Sequence, residues 1–241
     1  MVWVLHLAHW VKTMHSTTNT TANTLNRQTE CSDTNGDNNL DQNDQYWASR
    51  LIECMTTMGE QKTNSVLLTL DGVQSVKPYK RYPTIPFYFG NKHWRAFYHC
   101  HPSLDNELVE HGHYHFFTRQ GQNDEWCHVV ALGMNDVGQP TRLFTTNLWV
   151  TDGKWFDSGQ LSTQISILAD SLDEGLATSW LKYILLLFQY EISDLLIARD
   201  NKVERLFPNY HEQCFLDRSI YYLSEINVNL NEQLTDIFSP G

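Results

Sequence analysis

The chain reads as an α+β protein, in which an antiparallel sheet built on a central four-strand meander is followed by a C-terminal group of helices packed on it. Two observations set that class. Four β-rich segments joined by short connections lie between residues 93 and 150, and after Gly159 the apolar residues change from a period of two to a helical period.

The elements follow in order. Residues 1–40 are expected to form a flexible or weakly ordered tail, because from Ser16 to Gln45 Thr, Asn, Asp and Gln dominate and cannot bury enough apolar surface to offset ordering entropy. Inside it, residues 33–44 (DTNGDNNLDQND) put oxygen side chains at calcium-loop positions. Asn38 stands where the turn glycine belongs, Asp44 stands where the bidentate glutamate belongs, and no amphipathic helix precedes them, so a polar linker is the better reading. Trp47, Leu51, Cys54, Met55 and Met58 then recur at helical spacing behind Asp44, which is expected to cap a first core helix over 45–58. A Pro-broken aromatic stretch, KPYKRYPTIPFYFG, leads to strands over 93–101, 111–119, 126–134 and 142–150; the turn NDVGQP joins the last two.

Downstream, Ile165, Leu168, Leu172, Leu176, Trp180, Ile184 and Leu187 mark a long amphipathic helix, with Ser171 and Glu174 spaced as a capping box that restarts it. A second stretch covers 192–197, Pro208 stops it, and residues 212–223 and 231–238 supply the last helices. The sheet (about 85–157) and the helices (about 160–238) are expected to form one domain over 41–241, a length that can bury a proper core.

Composition narrows the function. A formal net charge of -11, with 17 Lys plus Arg against 28 Asp plus Glu, lacks the basic stripe that phosphate backbones require, so no nucleic-acid partner is expected. The five cysteines are scattered and form no Cys-x-x-Cys pair, which fits a reducing, cytoplasmic setting rather than a disulfide framework. The apolar start MVWVLHLAHWV has neither a basic n-region nor a small-residue cleavage site. No run reaches the roughly 20 apolar residues of a membrane span, so no membrane partner is expected either. Gly-rich phosphate loops, nucleophile elbows and dinucleotide fingerprints do not occur.

The chemistry is concentrated in HCHPSLDNELVEHGHYHFF, where five of the eleven histidines fall between His99 and His115. Residues two apart on a strand share a face, so His99 with His101, and His111 with His113 and His115, form two imidazole rows. If the two segments pair as a hairpin, one register sets His101 opposite His111, His99 opposite His113 and Phe97 opposite His115. A slip of one residue would turn one row away. Neutral imidazole is the commonest transition-metal ligand side chain, which makes His99, His101, His111, His113 and His115 candidate ligands of a transition ion, with Fe or Zn first and Mn, Cu or Ni as further choices. Glu107 and Glu110 lie in the connection, and Glu110, beside Gly112, is favoured as ligand or general base; His128 on the next strand is a candidate ligand or proton shuttle. Arg95, Arg119 and Arg142 are candidates to orient a carboxylate or phosphate. By alternation Cys100 points away from the imidazoles.

The motifs HCHP, EHGHYHFF and RLFTTNLWVT, with the later FLDRSIYYLSEI, resemble a family of uncharacterised bacterial proteins carrying an H-x-H-P and E-H-G-H-x-H-x-F pattern, over about residues 45–235. The resemblance implies a bacterial cytoplasmic domain and no catalytic roles. The resulting expectation is a metal-dependent enzyme acting on a small molecule. Its rivals are a non-catalytic metal-binding or metal-sensing protein and a structural or interaction domain without metal.

Overall fold

A computed structural model describes residues 37–101, 110–209 and 211–239, with side chains from residue 42 onward. Two helices, α1 (Asp37–Glu60) and α2 (Ser65–Leu70), precede the sheet. Five strands follow: β1 (Tyr82–Phe89), β2 (Trp94–His99), β3 (Gly112–Thr118), β4 (Cys127–Met134) and β5 (Pro140–Thr146). After them come α3 (Leu148–Thr151), α4 (Ser158–Ala169), α5 (Leu176–Leu187), α6 (Gln189–Leu206) and α7 (His211–Leu216), then β6 (Tyr222–Asn227) and α8 (Leu230–Phe238). The six strands form one antiparallel sheet in chain order, β1 to β6. The expected α+β class holds, and the four-strand meander is its centre, with a further strand on each side.

The two faces of the sheet differ in chemistry. Tyr98, Tyr114, Phe116, Val130, Leu132 and Leu143 join the apolar core with residues of α1, α2, α4 and α5. Tyr114 ties this face to α2, donating to the Ser65 carbonyl at 2.8 Å and meeting Thr69 Oγ1 at 2.7 Å. The opposite face carries Phe97 and His99 from β2, His113, His115 and Phe117 from β3, His128 from β4, and Arg142 and Phe144 from β5. Every residue of β3 and β4 is buried, so this second face is not a solvent-exposed polar surface.

Several expectations are corrected. Helix α1 starts at Asp37, so Asp44 lies inside it rather than at its N-cap. A helix anchored by buried Leu51, Cys54 and Met58 extends upstream at one hydrogen bond per added residue. The calcium-loop reading over residues 33–44 lies outside the described residues up to 36 and is helical backbone from Asp37; the remaining expected tail also lies outside them. The Pro-broken stretch is an edge strand, β1, where prolines are tolerated because one side of the ladder is unpaired.

The long helix expected over 165–187 is two helices. Ser171 turns its hydroxyl back to the Leu168 carbonyl at 2.7 Å, α5 restarts behind Gly175, and Leu172 is exposed. A capping box does occur, formed by Asp157 and Gln160 at the start of α4. The helix expected over 212–223 ends at Leu216, because Asp217 Oδ1 accepts from both the backbone and the hydroxyl of Ser219 in a side-chain turn. The chain then enters β6. The strand expected over 142–150 ends at Thr146; Asn147 caps α3 and donates to the carbonyls of Cys214, Asp217 and Ile220. Cys54, Cys100, Cys127 and Cys214 are free thiols, and no described helix is long and apolar enough to cross a membrane.

Candidate metal centre

The β2–β3 ladder sets the geometry. Phe97 pairs with His115 and His99 with His113, the expected register, whereas β2 ends at His99 and the expected His101–His111 pair lies beyond the ladder. One face of the hairpin therefore carries three imidazoles whose Nε2 atoms converge: His99 Nε2 lies 2.7 Å from His113 Nε2 and 3.1 Å from His115 Nε2. Tetrahedral ligands at about 2.0–2.1 Å from a zinc ion would sit about 3.3 Å apart, so a small opening of the rings would admit an ion. The three ligand atoms lie within 4.8 Å of one another, the metal-type grouping of His, Cys and acidic residues among the described residues.

Each of two rings is held from behind. His113 Nδ1 meets Glu110 Oε1 at 2.7 Å, and Glu110 Oε2 accepts from Arg142 Nε at 2.7 Å, with Arg142 Nη1 also donating to Glu225 at 3.0 Å. His115 Nδ1 meets His128 Nε2 at 2.9 Å, while the far nitrogen of His128 faces Thr146 Oγ1 at a long 3.5 Å. Gly133, opposite His113 on β4, makes room for the carboxylate. A Cβ there would stand 2.5 Å from Glu110 Oε2 and 2.9 Å from Arg142 Cγ. Phe144, Phe97 and Phe117 wall the cluster, with ring centroids 5.2 Å from His113, 5.5 Å from His115 and 5.2 Å from His128, respectively.

Burial keeps His99, His115 and His128 neutral. It pushes His99 down to about 3, reinforced by His113, His101 and Arg81; it does the same to His128, also to about 3, with Arg199 and His113 adding to it. His115 is lowered well below the usual imidazole value by burial and then by its histidine neighbours. Burial alone would raise the Glu110 carboxyl, but the hydrogen bonds from His113 and Arg142 outweigh it and hold it below the usual value. The tautomers follow. His113 Nδ1 faces an ionised carboxylate and carries the proton, which leaves a lone pair on Nε2. His115 presents a lone pair as well in the tautomer that donates from Nδ1 to His128. In that tautomer the lone pairs of His113 and His115 at His99 Nε2 are satisfied either by its single N–H or by a cation.

The remaining candidates are placed as follows. The exposed His101 stacks on His113 at a centroid distance of 5.2 Å and meets His99 edge-on at 4.9 Å. His111 bonds Tyr98 OH through Nδ1 at 2.7 Å, outside the three-nitrogen group. Glu107 lies outside the described residues. Arg142, expected to orient an anionic ligand, is instead paired with the chain's own Glu110 and Glu225. Sequence reasoning missed Gly133, Phe144 and Thr146; the two-residue offset of Gly133 and Ala131 on β4 is a signal that small residues face the histidine row. A surface depression of about 460 Å³ lined by Glu204, Asn209, His211, Glu212 and Gln213 shares no residue with this cluster.

Comparison with known proteins places this geometry in a family without assigning it a task. No curated protein and no solved structure matches the chain. A family model described as a domain of unknown function, DUF6969, matches residues 45–228, from within α1 through β6, and the chain belongs to that family.

Proposed function

We propose that the protein is a metal-dependent enzyme acting on a small molecule, with His99, His113 and His115 as the ligands of a transition ion, zinc or iron first. The observation that carries this is the convergence of three imidazoles, His113 and His115 buried and His99 half-buried, with Glu110 behind His113 and His128 behind His115. Three protein ligands leave coordination positions for water or substrate, the mark of catalytic rather than structural sites. A bound ion would supply Lewis acidity there. The chain's own groups do the rest: Phe97, Phe117 and Phe144 limit water around the cluster, and Glu110 and His128 act through the rings they hold rather than by direct contact with the reacting atoms.

A second reading is favoured by His101. Its ring already stacks on His113, and a rotation would complete a closed four-imidazole set suited to metal storage or sensing.

Both readings are tested on untagged full-length protein reconstituted in turn with zinc, iron, manganese and copper. Near-stoichiometric metal is expected, lost in His113→Ala and His115→Ala. In His101→Ala it should be retained, with an unchanged Co(II) spectrum. Loss of metal in His101→Ala supports the closed set instead. Sub-stoichiometric binding of every ion to the folded wild type overturns both.

A further inference from the structure

Beside the histidines the same sheet face changes from imidazole to arginine over aromatic rings. Phe97 and Phe117 stack with centroids 5.5 Å apart and form a floor adjoining His99, His115 and His128. Three guanidinium groups lie on or beside it. Arg81 is 4.5 Å from the Phe97 centroid, Arg95 is 4.6 Å from both Phe117 and Trp126, and Arg119 is 4.4 Å from Trp126. Cation–π contacts hold a guanidinium in place without neutralising it.

None of the three forms an ion pair with a described residue, in a chain whose formal net charge is -11. Arg119 spends its donors on the carbonyls of Lys92 and Gln122, and Arg95 Nε is buried with no hydrogen-bond partner among the described residues. Burial lowers the pKa of Arg95, and the charges of Arg81 and Arg119 lower it further, opposed only by Tyr88. Mutually repelling cations with an unsatisfied buried donor call for an anion. By contrast Arg142, with two strands between it and Arg95, is already neutralised by Glu110 and Glu225.

We propose that Arg81 and Arg95, seated on the buried rings of Phe97 and Phe117, form an oxyanion subsite, which holds the carboxylate or phosphate of a small molecule. Its service to the metal centre rests on the function proposed above. A planar guanidinium fork held in place by the ring beneath it suits recognition of a carboxylate or phosphate. With the anion held there, the remainder of the molecule extends toward His99 and His115, the rings that Phe97 touches.

The test uses full-length protein, metal-free and metal-loaded, at fixed salt. Benzoate, phenyl phosphate and the neutral benzamide are titrated by calorimetry and by tryptophan fluorescence, for which Trp126 is the local reporter. At least one anion should bind more tightly than benzamide, and the stronger of the two identifies carboxylate or phosphate as the group recognised. Arg81→Gln and Arg95→Lys should each weaken that binding about tenfold or more. Arg81 is exposed, so its variant keeps the fold even if the Arg95 variant does not. His113→Ala should lose metal and keep the anion. Anions binding no better than benzamide, or unweakened in Arg81→Gln, overturn the subsite, as does tight binding of a single-stranded oligothymidylate without binding of either small anion. Anion binding through the arginines by a protein that takes no metal supports the subsite and overturns the metal-dependent enzyme.

Discussion

His113 sits between two partners that together decide what it can do: the Glu110 carboxylate accepts from its Nδ1, and His99 Nε2 lies 2.7 Å from its Nε2. Glu110 is itself held by Arg142, so the imidazole is oriented through a chain of charge-assisted hydrogen bonds. Glu110→Gln disturbs this chain without removing volume. If the amide oxygen accepts from His113, the amide nitrogen faces Arg142 donor to donor. The expected result is a folded protein whose metal affinity, read by competition with a chelator, falls by about 10–100-fold. An unchanged affinity would show that the carboxylate plays no part in holding the ligand. At this scale the sequence was partly legible. Imidazoles two apart declared a shared face, but which of the five converge depends on where the ladder stops, and His101 and His111 lie just past its ends.

At the scale of elements the centre belongs to a hairpin and its support to the strands beyond. Gly133 on β4 is where these meet, since a methyl group there would collide with both Glu110 and Arg142. Gly133→Ala is expected to displace the carboxylate and to destabilise the fold by about 1–3 kcal/mol, the usual range for overpacking, measured by urea unfolding. Its metal affinity should drop in parallel with that of Glu110→Gln. A variant with full affinity would mean that the carboxylate relocates freely. The central strands were legible because alternation and turn chemistry agree there. The two outer strands were not: Pro83 and Pro86 disguise β1, and β6 follows a helix directly, with only the Asp217–Ser219 side-chain turn to announce the change. Outer strands pack on fewer neighbours, so their sequences carry a weaker pattern.

Across the whole molecule, burying neutral histidines ties stability to pH. His99 and His128 titrate near 3 in the folded state against about 6.5 when unfolded, and His115 is lowered in the same direction. Between those values the unfolded chain binds more protons, so stability falls as pH falls from about 6.5 toward 3, by up to about 1.4 kcal/mol per pH unit for each such ring. Glu110, held below its usual value, acts in the same sense at the acid end of that window. The metal-free protein should therefore lose urea resistance steadily below about pH 6 and hold it level from 7 to 8. A midpoint unchanged down to pH 4 would show that these rings are solvated.

The meander has a further consequence for the order in which the molecule is made. All three converging imidazoles belong to residues 99–115, yet the arginine that braces Glu110 comes from β5, and β5 becomes an interior strand only when β6, ending at Asn227, joins it. A chain emerging from the ribosome thus presents these imidazoles well before the strands that support them are in place. On the proposed function, a metal ion meets a finished fold rather than a nascent hairpin, and assembly of the C-terminal region becomes the step that licenses loading.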